Sequence, residues 1–88
     1  MPKLGPDTEY TGELLRRIRE ARGVGLRELA TRTRITLGHL ENIEAEAYEN
    51  LPERVYLRGI LTAYARELKV DGARLAETYL ARWAARRR

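Results

Sequence analysis

The stretch from Leu26 to Ile43 restricts the fold of this 88-residue chain more than any other. Its apolar residues recur at helical spacing on both sides of a short, mostly polar interruption, Thr33-Arg34-Ile35-Thr36. Leu26, Leu29 and Ala30 form one inward face, and Leu37, Leu40 and Ile43 form another. Two helices that cross closely need a small residue at the crossing, and Ala30 stands there. A tight turn needs an inward apolar residue, which Ile35 supplies. The second helix must lie back on the first, through Leu40 and Ile43. The spacing predicts a helix over about 26–33 and another over about 37–45, capped by Thr36. This is the pattern of a helix-turn-helix, although any three-helix bundle shares much of it.

The flanks continue in helical period. Thr11 is the expected cap of a first helix, with Leu14, Leu15, Ile18 and Ala21 inward and Gly23 as its stop. Pro52 is tolerated at a helix start and not in its interior. A fourth helix is therefore expected from near Pro52 to Leu68, with Val55, Leu57, Ile60, Leu61, Tyr64 and Leu68 as its apolar set. Asp71 caps a fifth from about Gly72, carrying Leu75, Ala76, Tyr79, Leu80 and Trp83. The expected fold class is all-α, a five-helix bundle containing a helix-turn-helix. Residues 1–10, with two prolines, a glycine and little apolar content, read as a flexible lead-in; 11–85 form the domain, and 86–88 a basic tail.

Charge is unevenly spread. Seventeen basic and thirteen acidic side chains give a net of +4. Residues 1–34 hold +3 and residues 54–88 hold +6, while 35–53 contain five glutamates and no Lys or Arg. A phosphate backbone responds to such local charge rather than to the total. The chain has no cysteine and no serine, and His39 is its single histidine. Neither a thiolate zinc site nor a nucleophile-and-base pair can be assembled, so no enzyme, metal or cofactor is expected. No run of eighteen apolar residues is present, and Met1 to Pro6 lack the apolar core of a secretory signal. A cytoplasmic protein is the expectation.

A longer string narrows the reading. Leu14-Leu15-Arg16-Arg17-Ile18-Arg19-Glu20-Ala21-Arg22-Gly23 resembles the first helix of phage-repressor-like domains. With Leu29 to Thr36, Leu40-Glu41-Asn42-Ile43-Glu44, Leu51-Pro52 and Val55 to Ala65, the chain is similar to the cytoplasmic N-terminal domain of the RodZ family over about residues 12–72. The resemblance implies a repressor-like fold that binds the actin-like filament protein MreB in bacterial cell-shape control. Three positions depart from the family. Glu46 stands where a glycine is common, at an expected cost on the order of 1 kcal/mol if that backbone is left-handed. Ile60 replaces a frequent aromatic. The chain ends at Arg88, where RodZ proteins continue through a basic stretch into a transmembrane helix, so it reads as a fragment or as an untethered relative.

Two functions share this fold. As a DNA reader, the third helix would present Thr36, His39 and Asn42 to bases, with Arg32 and Arg34 on phosphates. As a protein binder, the fold serves as a scaffold. The residue chemistry favours the second. Leu26 replaces the glutamine that DNA-reading relatives place at the start of helix two. Glu41 and Glu44, with Glu46 and Glu49 behind them, repel phosphate with no cation in the segment to offset them. The expected docking face is helix four, where Tyr56, Ile60 and Tyr64 share a stripe and Arg58 stands beside them. Tyr64 also fits a core position, packed on helix five. Trp83 reads as core. Arg82, Arg86, Arg87 and Arg88 suit either an anionic membrane surface, if a membrane span follows, or a solvated helix end.

Overall fold

The computed structural model describes residues 1–86, and the expected tail positions Arg87 and Arg88 lie outside them. Five helices follow in order: α1 (Gly12–Ala21), α2 (Leu26–Thr33), α3 (Leu37–Ala45), α4 (Arg54–Leu68) and α5 (Gly72–Arg86). A single 3₁₀ turn, Tyr48–Asn50, sits between α3 and α4 and was not expected from the sequence. There is no strand among the described residues.

The helix limits have local causes. The Thr11 hydroxyl accepts from the Leu14 N–H at 3.1 Å, and the Asp71 carboxylate accepts from the Arg74 N–H at 3.1 Å. Gly23, at φ +71°, turns the chain out of α1 in a conformation that other side chains resist. Thr36 occupies the cap position of α3, but its side chain makes no capping bond. α4 begins later than expected, at Arg54: Glu53 is extended and takes the cap position, leaving Pro52 in the connecting strip beside buried Leu51.

Packing joins these helices into one core. α2 lies against α3 and α4, α1 crosses α3, and α4 with α5 forms the most extensive pair. Leu15, Ile18, Leu29, Leu40, Ile43, Leu57, Leu61, Leu68, Leu75 and Tyr79 are fully buried. Burying one such side chain contributes about 1.5–3 kcal/mol. The expected helix-turn-helix is present as packing, with Ala30 and Ile35 half-buried against the cluster that holds Leu40 and Ile43. Trp83 is buried, and the Tyr79 hydroxyl donates to the Ile43 carbonyl at 2.7 Å, tying α5 to the last turn of α3.

Two placements were not visible in the local sequence. The end of the supposed lead-in is clasped by α5: Tyr10 is buried, its N–H donates to the Thr78 hydroxyl at 3.0 Å, and Arg74 donates to the carbonyls of Thr8 and Asp7. Prolines and glycine describe the local chain well enough, but they carry no information about a tyrosine finding a distant helix. Val55, one of the apolar set of α4, points outward with 78% of its surface exposed. It precedes Leu57 by two residues, about 160° away around a helix, so it cannot share the buried face of Leu57 and Leu61.

Candidate functional site

The acidic segment around α3 divides in the structure. Glu44 turns inward, its side chain 7% exposed, and Arg19 from α1 grips it with Nε at 2.7 Å and Nη2 at 3.0 Å. The Tyr64 hydroxyl from α4 donates to the same carboxylate at 2.7 Å and lies 3.2 Å from the Leu15 carbonyl. Arg19 also donates to the Val24 carbonyl at 2.9 Å. Burial raises the Tyr64 phenol well above its ordinary pKa, and the neighbouring Glu44 carboxylate raises it further, so it remains a donor. One buried ion pair and one phenol thus tie α1, α3 and α4 together.

Glu46 is likewise turned to structural use. Its backbone is left-handed at φ 55°, as its replacement of a glycine foreshadowed, and its carboxylate compensates. It accepts from the Gly12 N–H at 2.7 Å, at the positive end of α1, and from Arg82 at 3.3 Å. Burial works against ionisation of Glu46, but the Gly12 N–H and the Arg82 guanidinium help to outweigh it and hold the carboxyl below its ordinary range. Because the folded pKa is the lower one, the stability it contributes is present above the unfolded pKa and is lost as pH falls through the folded value. Glu46→Gln is therefore expected to flatten the loss of stability between about pH 5 and pH 3. Urea denaturation across that range measures it, and an unchanged slope would count against this assignment.

The repulsion argument against DNA therefore shrinks. The segment itself holds no cation, as expected, but Glu44 and Glu46 pair with arginines from outside it; Glu41 and Glu49 remain exposed. Tertiary packing brings Arg19 and Arg82 to them from 25 and 36 residues away. The α3 surface still lacks reading groups. Thr36, Gly38, Glu41 and Ala45 are its exposed residues, while His39 and Asn42 are half-buried. Arg34 is exposed in a left-handed cap, and Arg32 is held between Glu28 and Glu67. Of the residues proposed to meet DNA, only Arg34 and Thr36 are both exposed and outside an ion pair among the described residues.

The α4 candidates separate as well. Tyr56 is 71% exposed and Arg58 is exposed, whereas Ile60 is half-buried against the core. Tyr64 is fully buried and cannot belong to a docking surface; its hydroxyl points to α1 and α3 rather than to α5 alone. The exposed large apolar side chains of α4 are the adjacent pair Val55–Tyr56 at its first turn. A helical-wheel reading of Val55 against Leu57 would have found it. Among the described residues no group of His, Asp or Glu is placed to hold a metal, and no helix is long and apolar enough to cross a membrane.

Comparison with known proteins adds to this geometry. Residues 14–75 match a family model described as a helix-turn-helix domain. The cytoskeleton protein RodZ of Streptococcus pneumoniae strain R6 is 37% identical over 68 residues, covering 77% of this chain and 25% of that protein. The matched stretch thus spans a quarter of that relative's length. No solved structure matches.

Proposed function

From the premise that this chain belongs to the helix-turn-helix domain family, as a RodZ-like member, we propose that it is a non-enzymatic docking module for a cytoskeletal filament of the MreB type. The observation that carries the reading is the Val55–Tyr56 pair, exposed at 78% and 71% at the start of α4. They are the two large apolar side chains left in water along the helical part of the described chain. Arg58 follows within one turn, on the other side of Val55 from Tyr56. Tyrosine and arginine beside an aliphatic residue suit the centre of an interface, because their large surfaces are desolvated at small entropic cost.

The module acts as a rigid presenter. The buried Arg19–Glu44–Tyr64 group fixes α4 against α1 and α3, so the anchor is held in place before the partner arrives. The surface of α3, with Gly38, Glu41 and Ala45 outward, supplies few groups able to read base edges. A cytoplasmic position, tethered to the membrane within a longer parent protein, belongs to the same proposal and is supported by the RodZ likeness.

Co-sedimentation of this domain with MreB filaments tests the reading. Tyr56→Ala is expected to weaken binding by about 2 kcal/mol, roughly thirtyfold, without lowering the melting temperature, because an exposed side chain contributes little to the fold. Sequence-selective binding to duplex DNA at physiological salt, with no filament pelleting, would overturn it in favour of a transcriptional role.

A further inference from the structure

We propose that the cavity between the 3₁₀ turn and the end of α5 is a site for a phosphate group, held by the Tyr48 hydroxyl, the Arg82 Nε–H and the Arg86 guanidinium. It does not depend on filament docking. The cavity measures about 210 Å³ and is lined by Tyr48, Arg82, Ala85 and Arg86. That is several times the roughly 30 Å³ taken up by one water. Two polar atoms of its lining residues are buried and have no hydrogen-bond partner: the Tyr48 hydroxyl and Arg82 Nε. Tyr48 is 3% exposed, so bulk solvent does not complete its bonding. Native folds rarely leave buried donors unpaired, and two from the lining of one cavity call for a common acceptor.

The chemistry of these groups selects an anion. Burial, and next the nearby Glu46 carboxylate, raise the Tyr48 phenol above its ordinary pKa, so it keeps a proton to donate. Arg82 spends Nη2 on Glu46 at 3.3 Å, which leaves its Nε–H over. The Glu46 charge is already met by that contact and by the Gly12 N–H at 2.7 Å. Arg86 is exposed, and its guanidinium lies 5.3 Å from the centre of the Tyr48 ring. It makes no ion pair among the described residues. A cation–π contact at an exposed site is weak, so this guanidinium can turn from the ring onto an anion. The carbonyl end of α5 opposes negative charge, but its half charge is smaller than that of either arginine. Phosphate fits better than a carboxylate, because the donors arrive from the 3₁₀ turn and from two turns of α5. Its tetrahedral oxygens meet several directions at once, and arginine is suited to them.

The test is a titration of this domain with inorganic phosphate, followed by NMR of the arginine Nε–H signals. The Arg82 and Arg86 signals should shift and saturate with a Kd on the order of 1 mM, while sodium chloride of equal ionic strength leaves them in place. Tyr48→Phe removes only the hydroxyl and should weaken phosphate binding by at least about fivefold. Because that hydroxyl is buried without a partner, the melting temperature of Tyr48→Phe in phosphate-free buffer should stay level or rise. Arg86→Gln should weaken binding to a similar degree, and Arg17→Gln, on exposed α1 surface, should not. Short-chain phosphatidylglycerol below its micellar concentration separates the two sources of such a group. Tighter binding of the lipid than of inorganic phosphate, lost in Tyr48→Phe, identifies a headgroup; equal or weaker binding identifies a soluble phosphate. Shifts that do not saturate, equal shifts at Arg17, Arg22 and Arg34, or undiminished binding by Tyr48→Phe would overturn the proposal, water then sufficing for the two atoms.

Discussion

Glu44→Ala is expected to destabilise this domain by about 3–5 kcal/mol, the largest single effect in the chain, because it strands the Arg19 guanidinium in the interior. Arg19 is 11% and Glu44 7% exposed at the side chain, so water cannot replace the lost partner. A domain of this length has a total stability of roughly 4–13 kcal/mol, and a loss of that size leaves it marginal. Tyr64 compounds the effect, since its buried hydroxyl would keep only the longer contact to the Leu15 carbonyl. The check is a double-mutant cycle by urea denaturation. Arg19→Ala should be nearly as costly, and the double variant far less costly than the sum, because neither charge is then left alone. A loss under about 1 kcal/mol for Glu44→Ala would show that the pair does not hold the helices together.

Gly12→Ala is the second large effect. α1 crosses α3 so closely that a Cβ on Gly12 would overlap the Glu44 carbonyl oxygen and stand 2.7 Å from the Ile43 carbonyl oxygen. Backbone atoms cannot rotate away as a side-chain tip can, so α1 must lift off α3. The expected cost is about 3 kcal/mol, at the upper end for overpacking. The displacement would also break the bond from the Gly12 N–H to Glu46. The contrast with Gly59→Ala is diagnostic: that site is open and helical, so alanine there should stabilise by about 0.5–1 kcal/mol. Thermal melts of the two variants should shift in opposite directions. A neutral Gly12→Ala would mean that the α1–α3 crossing is looser than the structure has it.

These two sites also mark where sequence reading stopped. The limits of α2 and α3 follow from the sequence, since apolar period, turn residues and cap positions are local properties. Gly12, by contrast, reads as an ordinary residue after a cap, and nothing nearby signals a helix crossing. Glu44 reads as one more carboxylate of an acidic segment. Its partners Arg19 and Tyr64 lie 25 and 20 residues away on different helices. Of the α4 residues singled out in the sequence, Tyr56 and Arg58 are exposed, Ile60 is half-buried, and Tyr64 belongs to the core.

The helix-turn-helix itself was within reach of the sequence, through the spacing of Ala30, Ile35, Leu40 and Ile43 together with the longer string that surrounds them. The sequence also determined the all-helical class and the RodZ likeness. Only the tertiary structure decided which charges are available outside. Helical period reports how a side chain points relative to its own helix, and it is blind to a counter-charge on another. Folding consumed Glu44 and Glu46 in internal bonds to Arg19, Tyr64, Gly12 and Arg82. The charge that the acidic middle shows outside was therefore set by long-range pairing, which took two of its five glutamates into internal bonds.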